Sequence, residues 1–467
     1  MSESSLPIVV VGGGFSGTLT AIHLSRRLPE KPIILLEETG EAGPGLAYRS
    51  TDAAAWLNVP AAKMSAFHNQ PLHFLDYARE QLGEGVQETD FLPRHVYGGY
   101  LKRCLEDEQE RNPLLQVEKR RVHDLTRGDS PTTARIIFKD QTALDASHVV
   151  LATGNQGSAF ASSLWADHAK PARSHEAIST IHTGDTVLIV GTGLTMIDAV
   201  LDLDRRGDAA SIHIVSRNGL LPRAYAPPSP TPAPDLDHLP DSNLRRAVRL
   251  FRRAIRGHEA RGGDWRDLFH EIRDATPSLW KELSAKDKTR FLRFISPFWE
   301  VHRHQCPPET YQKIQSLLAS GKLVQHRGTI VSIEHSGNVI RLGLASRSRN
   351  APTRWIEAQH LLDATGPARD LQVIADPLIQ NLLRRGFIKP DAHRLGAETS
   401  ADYRALGRDN KPSPWLSIVG PMLRARYFEA TAISELRLHA ASAAKRIAQA
   451  VNPLEEVGTE EALHEVI

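Results

Sequence analysis

Two apolar, β-branched runs in the chain each end in a glycine-rich turn. The first run, Val9–Val11, leads into the turn Gly12–Gly17, and the second run, Thr186–Val190, leads into the turn Gly191–Thr195. Each turn is followed by a segment with helical apolar spacing and then by a second strand-like run. Short strands that alternate with amphipathic helices are typical of βαβ units with parallel strands. The pattern therefore predicts two Rossmann-like nucleotide-binding units in one chain.

The first turn has the full glycine fingerprint of a dinucleotide site. Its first glycine permits the tight turn, its second lets a pyrophosphate approach the backbone, and its third lets the helix pack closely on the strand. Glu37 follows the third glycine by 20 residues, at the end of the second strand, where a carboxylate accepts hydrogen bonds from ribose hydroxyls. The alternative is that the glycines only shape a tight turn. We expect FAD at this turn, held by Gly12, Gly14, Phe15, Ser16, Gly17 and Glu37.

The second turn differs from the first in two respects. Met196 stands at the third glycine position, so we expect the helix and the strand to lie slightly further apart there. The second strand ends in Ser216-Arg217 and not in an acid, and a guanidinium can pair with a 2′-phosphate. The alternative is that Arg217 lies on a solvated strand end. We expect NADPH at this turn, held by Gly191, Gly193, Thr195, Ser216 and Arg217.

Length and charge place the chain among ordinary globular enzymes. Its 467 residues exceed a single core, so two or three domains are expected. The formal net charge of +2 gives no electrostatic case for nucleic acid or an anionic membrane as a partner. The chain contains no run of about 18 apolar residues, so the sequence predicts no membrane span. The apolar N-terminal stretch is broken by glycines, so we interpret it as a strand rather than a signal peptide, and the expected localisation is cytoplasmic.

The two cysteines, Cys104 and Cys306, are far apart in sequence and form no Cys-x-x-Cys pair. This spacing excludes the dithiol relay of flavin disulfide reductases, and the sequence contains no plausible set of zinc or iron–sulfur ligands. We therefore expect no metal site and two buried thiols.

The two units are predicted to be arranged as one domain inserted into another. Val149–Gly154 and Leu361–Gly366 are near copies, each a strand that ends in a small-residue turn. Such elements suit the points at which a chain leaves and re-enters a flavin domain. We predict an α/β protein in which the FAD domain contains an NADPH domain and a helical insertion. The predicted segments are 1–170 and 326–467 for the FAD domain, 171–225 for the NADPH domain, and 226–325 for a proline-rich loop and helices.

The predicted insertion begins with seven prolines between Pro222 and Pro240, which exclude a regular helix or a central strand there. Apolar residues at helical spacing follow from Leu244 onward, and Ser284 begins a segment that resembles a capping box. The aromatic residues of these helices favour packing over cofactor binding. Trp299–His304 sets polar groups beside an aromatic ring. This segment either binds an anionic substrate or the nicotinamide end of NADPH, or forms a solvated helix end.

A strand–glycine–helix element lies near the C-terminus. Leu416–Pro421 has the strand and the turn, and Tyr427–Glu435 enters a long helix. A flavin domain usually closes here over the ribityl chain and the pyrimidine edge of the ring, where a helix N-terminus can stabilise negative charge on the reduced flavin. The alternative is a helix that only packs on the sheet.

Together these segments resemble those of bacterial FAD/NAD(P)-binding oxidoreductases related to class B flavin monooxygenases and N-hydroxylating monooxygenases. Similar segments also include Gly43–Tyr48, Leu57–Ser65, Arg94–Tyr100, Ser216–Pro222 and Glu429–Arg437. The resemblance implies a glutathione-reductase-like fold. The Baeyer–Villiger fingerprint Phe-x-Gly-x-x-x-His-x-x-x-Trp does not occur between the two turns, which argues against that reaction. The resemblance further implies cofactor contacts by Arg94, Thr153, Gly154, Gly366, Gly420 and Thr431.

The resemblance also implies a reaction. NADPH would reduce the flavin, the reduced flavin would form a C4a-hydroperoxide with molecular oxygen, and this species would oxygenate a small nucleophilic substrate, as in N-hydroxylation. Lys63, Met64 and Ser65 would lie near the reactive face as catalytic residues, with a surface position for Lys63 as the alternative. Two other classes stay open: an NADPH-dependent flavin reductase or oxidase without oxygen insertion, and a non-catalytic nucleotide-binding protein.

Overall fold

The computed structural model describes residues 5–49, 55–158, 163–207, 209–236, 243–345 and 352–452. Within these ranges the strands form two mainly parallel sheets, of six and five strands, and two antiparallel sheets of three strands each. The two parallel sheets confirm the predicted α/β fold with two Rossmann-like units. None of the helices in these ranges has both the length and the apolar character that a membrane crossing requires.

The six-stranded sheet forms the centre of the first unit. Its order is β16-β17-β7-β1-β2-β3, and only the β16–β17 pair is antiparallel. All residues of β1 and β7 are buried, which explains their uninterrupted apolar runs, because a parallel sheet is normally covered on both faces. The strands are β1 (Ile8–Val11), β2 (Ile33–Leu36), β3 (Leu115–Glu118), β7 (His148–Leu151), β16 (Arg404–Leu406) and β17 (Pro412–Ile418).

The first unit also contains five helices, a small antiparallel sheet and the long C-terminal helix, which packs against α1. The helices are α1 (Phe15–Arg27), α2 (Gly45–Tyr48), α3 (His73–Leu82), α4 (Arg94–Arg111), α12 (Pro377–Arg385) and α13 (Ile433–Val451). The small sheet consists of β4 (Val122–Arg127), β5 (Ala134–Phe138) and β6 (Ala143–Ala146). β3 joins the six-stranded sheet, while β4, β5 and β6 pair with one another in the small sheet.

The five-stranded sheet forms the second unit, and all its neighbouring strands are parallel in the order β11-β10-β9-β15-β8. The chain enters this sheet after β7 and returns to the first sheet at β16, so the second unit is inserted into the first. Its strands are β8 (Lys170–Pro171), β9 (Asp185–Val190), β10 (Ala209–Ser216), β11 (Leu323–Arg327) and β15 (His360–Asp363). Its helices are α5 (His175–Ser179), α6 (Leu194–Arg206) and α11 (Pro308–Ala319).

The predicted return to the first unit at residue 326 is wrong. β11 extends the second sheet beyond β10, and β15 pairs with β9, so the second unit continues to Asp363. Between them, β12 (Thr329–Ser336), β13 (Val339–Ala345) and β14 (Arg354–Ala358) form an antiparallel sheet that packs on the second sheet. The sequence lacks a signal for this boundary, because β11 pairs with β10 across the whole helical insertion.

The helical insertion lies between β10 and α11. Ser284 caps α9 by accepting a hydrogen bond from the Asp287 N–H, which confirms the predicted start. Most of its aromatic side chains pack in one core, as expected, and Trp280 and Trp299 share that core with Phe428 of the first unit, whereas Phe294 and Phe298 are exposed. Pro240, the last proline of the loop, lies outside the described residues. The helices are α7 (Leu244–Glu259), α8 (Trp265–Glu282), α9 (Ala285–Arg290) and α10 (Ser296–Arg303).

The two nucleotide turns differ in how closely the helix approaches the strand. A Cβ atom at Gly17 would lie 1.9 Å from the carbonyl oxygen of Gly12, so no side chain fits between α1 and β1. Met196 takes the equivalent position in α6, and its side chain is fully buried in the core of the second unit. The wider spacing expected there stays a prediction. Cys104 and Cys306 are both buried, in separate cores, as predicted.

Candidate active site

A groove of about 550 Å³ runs across the carboxyl edge of the first sheet. Its floor is the first turn, where Gly14 faces Gly45: a Cβ at Gly45 would lie only 2.9 Å from the Gly14 Cα, whereas a Cβ at Gly14 would lie 3.7 Å from the Gly45 Cα. Gly12 has a φ of +106°, and a Cβ there would lie 2.4 Å from the carbonyl oxygen of Ala152, so only glycine fits. Because the two facing glycines have no side chains, they leave a depression, here called the cradle, in which a ligand can lie directly against the backbone.

The N-terminus of α1 opens into this groove. Gly14 is the N-cap residue and supplies no side-chain cap, so the N–H groups of the first turn are left for another acceptor. These N–H groups and the helix dipole favour an anion. The cradle and the uncapped helix together fit the pyrophosphate of a dinucleotide.

One end of the groove is closed by Glu37, as the sequence predicts. Its carboxylate accepts a hydrogen bond from the Gly13 N–H at 2.9 Å and another from the Thr39 hydroxyl at 2.9 Å, which fixes its position at the end of β2. Arg120 and Arg121, shortly after β3, also line the groove. The sequence analysis missed them, because nothing in their own segment indicates a ligand contact. The groove therefore carries both an acceptor for ribose hydroxyls and two guanidinium groups.

A second cavity of about 420 Å³ lies where β9 and β15 end. The residues of the second turn and the segment 364–369 after β15 line it, and so does the first turn of α6. Gly193, the N-cap residue of α6, also supplies no side-chain cap, which leaves this helix N-terminus open to an anion. The geometry thus repeats that of the first turn.

The groove and the cavity meet at a shared wall, which consists of Thr153, Gly154, Asn155, Gln156, Pro421 and Thr431. These residues follow β7 and β17, which are neighbours in the first sheet. Ligands bound in the two spaces would come into contact here. In doubly wound folds, the carboxyl edge of the sheet is where ligands bind.

The segment Trp299–His304 forms part of this cavity and is not a solvated helix end. Glu300 and His304 line the cavity, and their side chains are joined at 3.0 Å. On another face of α10, Trp299 and Arg303 both donate to the buried carboxylate of Glu429, each at 2.9 Å. The interpretation that places this segment in a binding site is therefore the one that the geometry favours.

Glu300 also contacts two arginines of the first unit, Arg424 at 2.5 Å and Arg369 at 3.9 Å. Burial alone would raise the pKa of Glu300, but Arg424 and His304 outweigh it and hold that pKa well below its usual value. Burial and the nearby charge of Arg424 lower the pKa of Arg369 to about 10, against the opposing effect of Glu300. Glu300 is thus ionised between two guanidinium groups.

Comparison with known proteins identifies this architecture. Residues 9–156 match the family model described as FAD-NAD(P)-binding. The chain is similar to L-lysine 6-monooxygenase from Pseudomonas syringae, with 16 % identity, a TM-score of 0.65, and coverage of 97 % of this chain and 100 % of that one. The chain has the fold of the glutathione-reductase-like flavoproteins. A comparison with curated protein sequences finds no match.

Two further solved structures share this flavoprotein fold. The reduced form of ornithine hydroxylase from Pseudomonas aeruginosa has 16 % identity and a TM-score of 0.61, covering 96 % of this chain and 100 % of that one. The ornithine N-hydroxylase of Kutzneria sp. 744, with reduced FAD, NADP⁺ and L-ornithine, has 14 % identity and a TM-score of 0.60, covering 95 % and 99 %. At these identities the likeness establishes the fold.

Most of the predicted cofactor residues line the groove or the cavity. Gly17 instead permits the close approach of α1 to β1. Gly420 lies against Ser16, because a Cβ at Gly420 would be 3.2 Å from the Ser16 hydroxyl oxygen. The residues on the groove are Gly12, Gly14, Phe15, Ser16 and Glu37, those on the cavity are Gly191, Gly193, Thr195 and Gly366, and those on both are Thr153, Gly154 and Thr431.

The structure does not support a catalytic role for Met64 and Ser65. Both side chains are buried, and neither lines the groove or the cavity. The Ser65 hydroxyl donates to the carbonyl oxygens of Phe67 and Gln70, so it fixes the loop in which it stands. The similar region of the resembled enzymes suggested a site, but here the loop folds inward. Lys63 is exposed and lines neither space, which matches the surface alternative.

Arg94 does not line a cofactor space either. Its guanidinium donates to the carbonyl oxygen of Trp56 at 3.0 Å and pairs with Asp198 of α6 at 3.0 Å. Because Asp198 belongs to the second unit, Arg94 ties the two units together. Both of these partners are protein groups, and the cofactor contact expected of Arg94 stays a prediction.

Ser216 and Arg217 lie beyond the cavity, where the second strand of the second unit ends. The Thr192 hydroxyl and the Gly219 N–H both bond to the Ser216 hydroxyl, at 3.0 and 3.1 Å, which anchors the turn after β10. Arg327 ends the neighbouring strand β11 opposite Ser216. Two guanidinium-bearing residues therefore stand at this corner of the sheet. The role of Arg217 in binding a 2′-phosphate stays a prediction.

Proposed function

We propose that this protein is an FAD-dependent, NADPH-consuming monooxygenase that oxygenates a small nucleophilic substrate. The observation that carries the proposal is the shared wall of Thr153–Gln156, Pro421 and Thr431. A dinucleotide in each space would place both redox-active rings at this wall. The two uncapped helix N-termini, at Gly14 and Gly193, supply the anion sites that two pyrophosphates need.

Structural likeness supports an oxygenase over other flavoenzymes of this fold. The similar solved proteins named above are described as a lysine 6-monooxygenase, an ornithine hydroxylase and an ornithine N-hydroxylase, the last with FAD and NADP⁺ bound. Cys104 and Cys306 are buried in separate cores, so no exposed dithiol is available to accept electrons. Molecular oxygen is therefore the electron acceptor that we propose.

When bound, FAD would supply hydride acceptance from NADPH and the activation of oxygen. The chain's own residues do the remaining work. The first turn and the α1 N-terminus hold the flavin nucleotide, and Glu37 accepts from its ribose. The second turn and α6 hold the nicotinamide nucleotide. The aromatic core around Trp299 and Phe428 packs behind the cavity, which limits the access of water to that side.

Oxygen insertion is tested by comparing the amount of hydrogen peroxide formed with the amount of NADPH consumed. We expect the purified holoprotein to oxidise NADPH in air, and one class in a panel of amino acids, amines and sulfides to accelerate this oxidation. With that class, hydrogen peroxide should fall well below the NADPH consumed, and a product heavier by one oxygen should be detected by mass spectrometry. Peroxide equal to NADPH across the entire panel would show an oxidase and contradict the proposal.

A further inference from the structure

Arg424 occupies an unusual position in the wall of the cavity. It lies in the short 3-10 helix Pro421–Ala425 of the first unit, directly beside the shared wall, and its side chain is only 7 % exposed. Its guanidinium lies over the ring of Phe428, with 4.8 Å from Cζ to the ring centroid, and bonds through Nη2 to Glu300. Packing and the ion pair hold the guanidinium in one orientation.

A buried donor of this guanidinium lacks a partner within the described part of the chain. The Nε–H of Arg424 is buried and has no hydrogen-bond partner among the residues that the structure describes. A buried donor without an acceptor is costly, so native proteins almost always satisfy such groups with protein, water or a ligand. Because Arg424 also lines the cavity, a ligand bound there is the candidate acceptor for this guanidinium.

The charges around this donor do not balance. Arg424 and Arg369 each carry a positive charge, and Glu300 between them carries the one carboxylate of the cavity lining, which leaves an excess of one positive charge. The lowered pKa of Arg369 reflects this excess of positive charge in part, since burial and the charge of Arg424 both disfavour the charged form of Arg369. An anion placed between the two arginines would neutralise the excess.

Another part of the cavity lining is apolar. Aliphatic side chains from the segment after β15, from α12 and from the loop before β16 line it, namely Leu371, Ile374, Ile379 and Leu395. The cavity lining therefore combines two arginines with a group of aliphatic side chains. Such a combination matches an amphipathic anion and disfavours a protonated amine, which would meet two guanidinium groups.

We propose that the part of the cavity lined by Arg424, Arg369 and the aliphatic residues binds the substrate as an organic anion, with its carboxylate held by the two arginines, while the second turn and α6 hold the nicotinamide nucleotide at another part of the lining. This inference rests on the proposed function, because it identifies the substrate class of the same site. The nicotinamide nucleotide is a second possible source of an anion, through its pyrophosphate. The uncapped N-terminus of α6 serves that group instead, and Arg424 belongs to the first unit.

Three aromatic probes of similar size but different charge test the proposal on the FAD-loaded protein: anionic benzoate, neutral benzamide and cationic benzylamine. Their binding is measured by the change in the visible absorption of the flavin. We expect benzoate to bind at least about tenfold more tightly than benzamide, and benzylamine to bind more weakly than both, because a hydrogen bond to a charged group is worth roughly tenfold or more. Equal affinities for benzoate and benzamide would overturn the proposal.

Arg424→Met should weaken benzoate binding by about tenfold or more and leave benzamide binding unchanged. Arg426→Met is the matched control, because Arg426 lies two residues away, donates to the Thr399 carbonyl oxygen and does not line the cavity. If circular dichroism shows that Arg424→Met does not fold, Arg369→Met takes its place, because the Arg369 side chain is 40 % exposed. The same result is then expected: weaker binding of benzoate and unchanged binding of benzamide.

Two further readouts separate this site from the nucleotide sites. A proportionate loss of NADP⁺ affinity in Arg424→Met would assign the guanidinium to the nicotinamide nucleotide and overturn the proposal. Protein that retains no flavin would contradict the proposed function, and calorimetric titration of the flavin-free protein with the three probes would then test the anion site independently.

Discussion

Replacing Gly14 with valine is expected to give a folded protein that retains no flavin. The space around Gly14 accepts a Cβ, since the nearest heavy atom would be the Gly45 Cα at 3.7 Å, and its φ of −77° suits any residue. The two valine methyl groups would, however, fill the cradle in front of the α1 N-terminus. Losing two or more hydrogen bonds to phosphate should weaken FAD binding by at least about a hundredfold. The measurement is the ratio of flavin to protein after purification.

Gly193→Val is the matched control for this experiment. Gly193 occupies the same N-cap position in α6, with a φ of −88° and open space around it. This variant should purify with full flavin and show a raised Michaelis constant for NADPH. Gly12→Ala is unsuitable as a probe, because its Cβ would lie 2.4 Å from the Ala152 carbonyl oxygen and disturb the fold. Full flavin occupancy in Gly14→Val would rule out the first turn as the FAD site.

Arg217→Ala is expected to raise the Michaelis constant for NADPH by roughly ten- to a hundredfold, with little effect on NADH. Arg217 directly follows β10, where the adenine ribose lies in a Rossmann unit, and the Ser216 hydroxyl anchors the turn. A guanidinium there can make a bidentate contact with a 2′-phosphate, which NADH lacks. Steady-state kinetics with both nucleotides measure the difference.

Arg205→Ala provides the control for the loss of one positive charge in the same unit. Arg205 lies in the last turn of α6, at the opposite end of the helix from the nucleotide turn, and pairs with Asp202 at 2.8 Å. Its replacement should leave both nucleotides unaffected. Equal losses for NADPH and NADH in Arg217→Ala would mean that Arg217 supports the fold or the pyrophosphate, and the 2′-phosphate assignment would be wrong.

Local patterns were sufficient to predict the two units of the fold. The runs at Val9–Val11 and Thr186–Val190 are buried parallel strands, and both glycine turns precede helices, as their spacing indicates. Long-range pairing was not predictable. β3 and β11 each join a parallel sheet through a partner that is distant in sequence, and nothing in their own residues specifies that partner.

The site was predictable where backbone geometry defines it and not where side chains meet across elements. Glycines at strand ends mark the two turns through steric demands that leave a trace in sequence. Arg424 and Arg369, by contrast, reach Glu300 from segments far along the chain, and an isolated arginine in a loop carries no signal of that meeting. Met64 and Ser65 were misplaced for the converse reason, because similarity of a segment does not fix which way its side chains face.

The most direct test of the account is to mix the purified protein with NADPH in the absence of oxygen and to follow the visible absorption of its flavin. The shared wall between groove and cavity predicts that a stoichiometric amount of NADPH bleaches the flavin completely, and that Gly193→Val slows the bleaching without loss of flavin. Flavin that stays oxidised under saturating NADPH, while dithionite still reduces it, would contradict the transfer of electrons between two nucleotides in this chain.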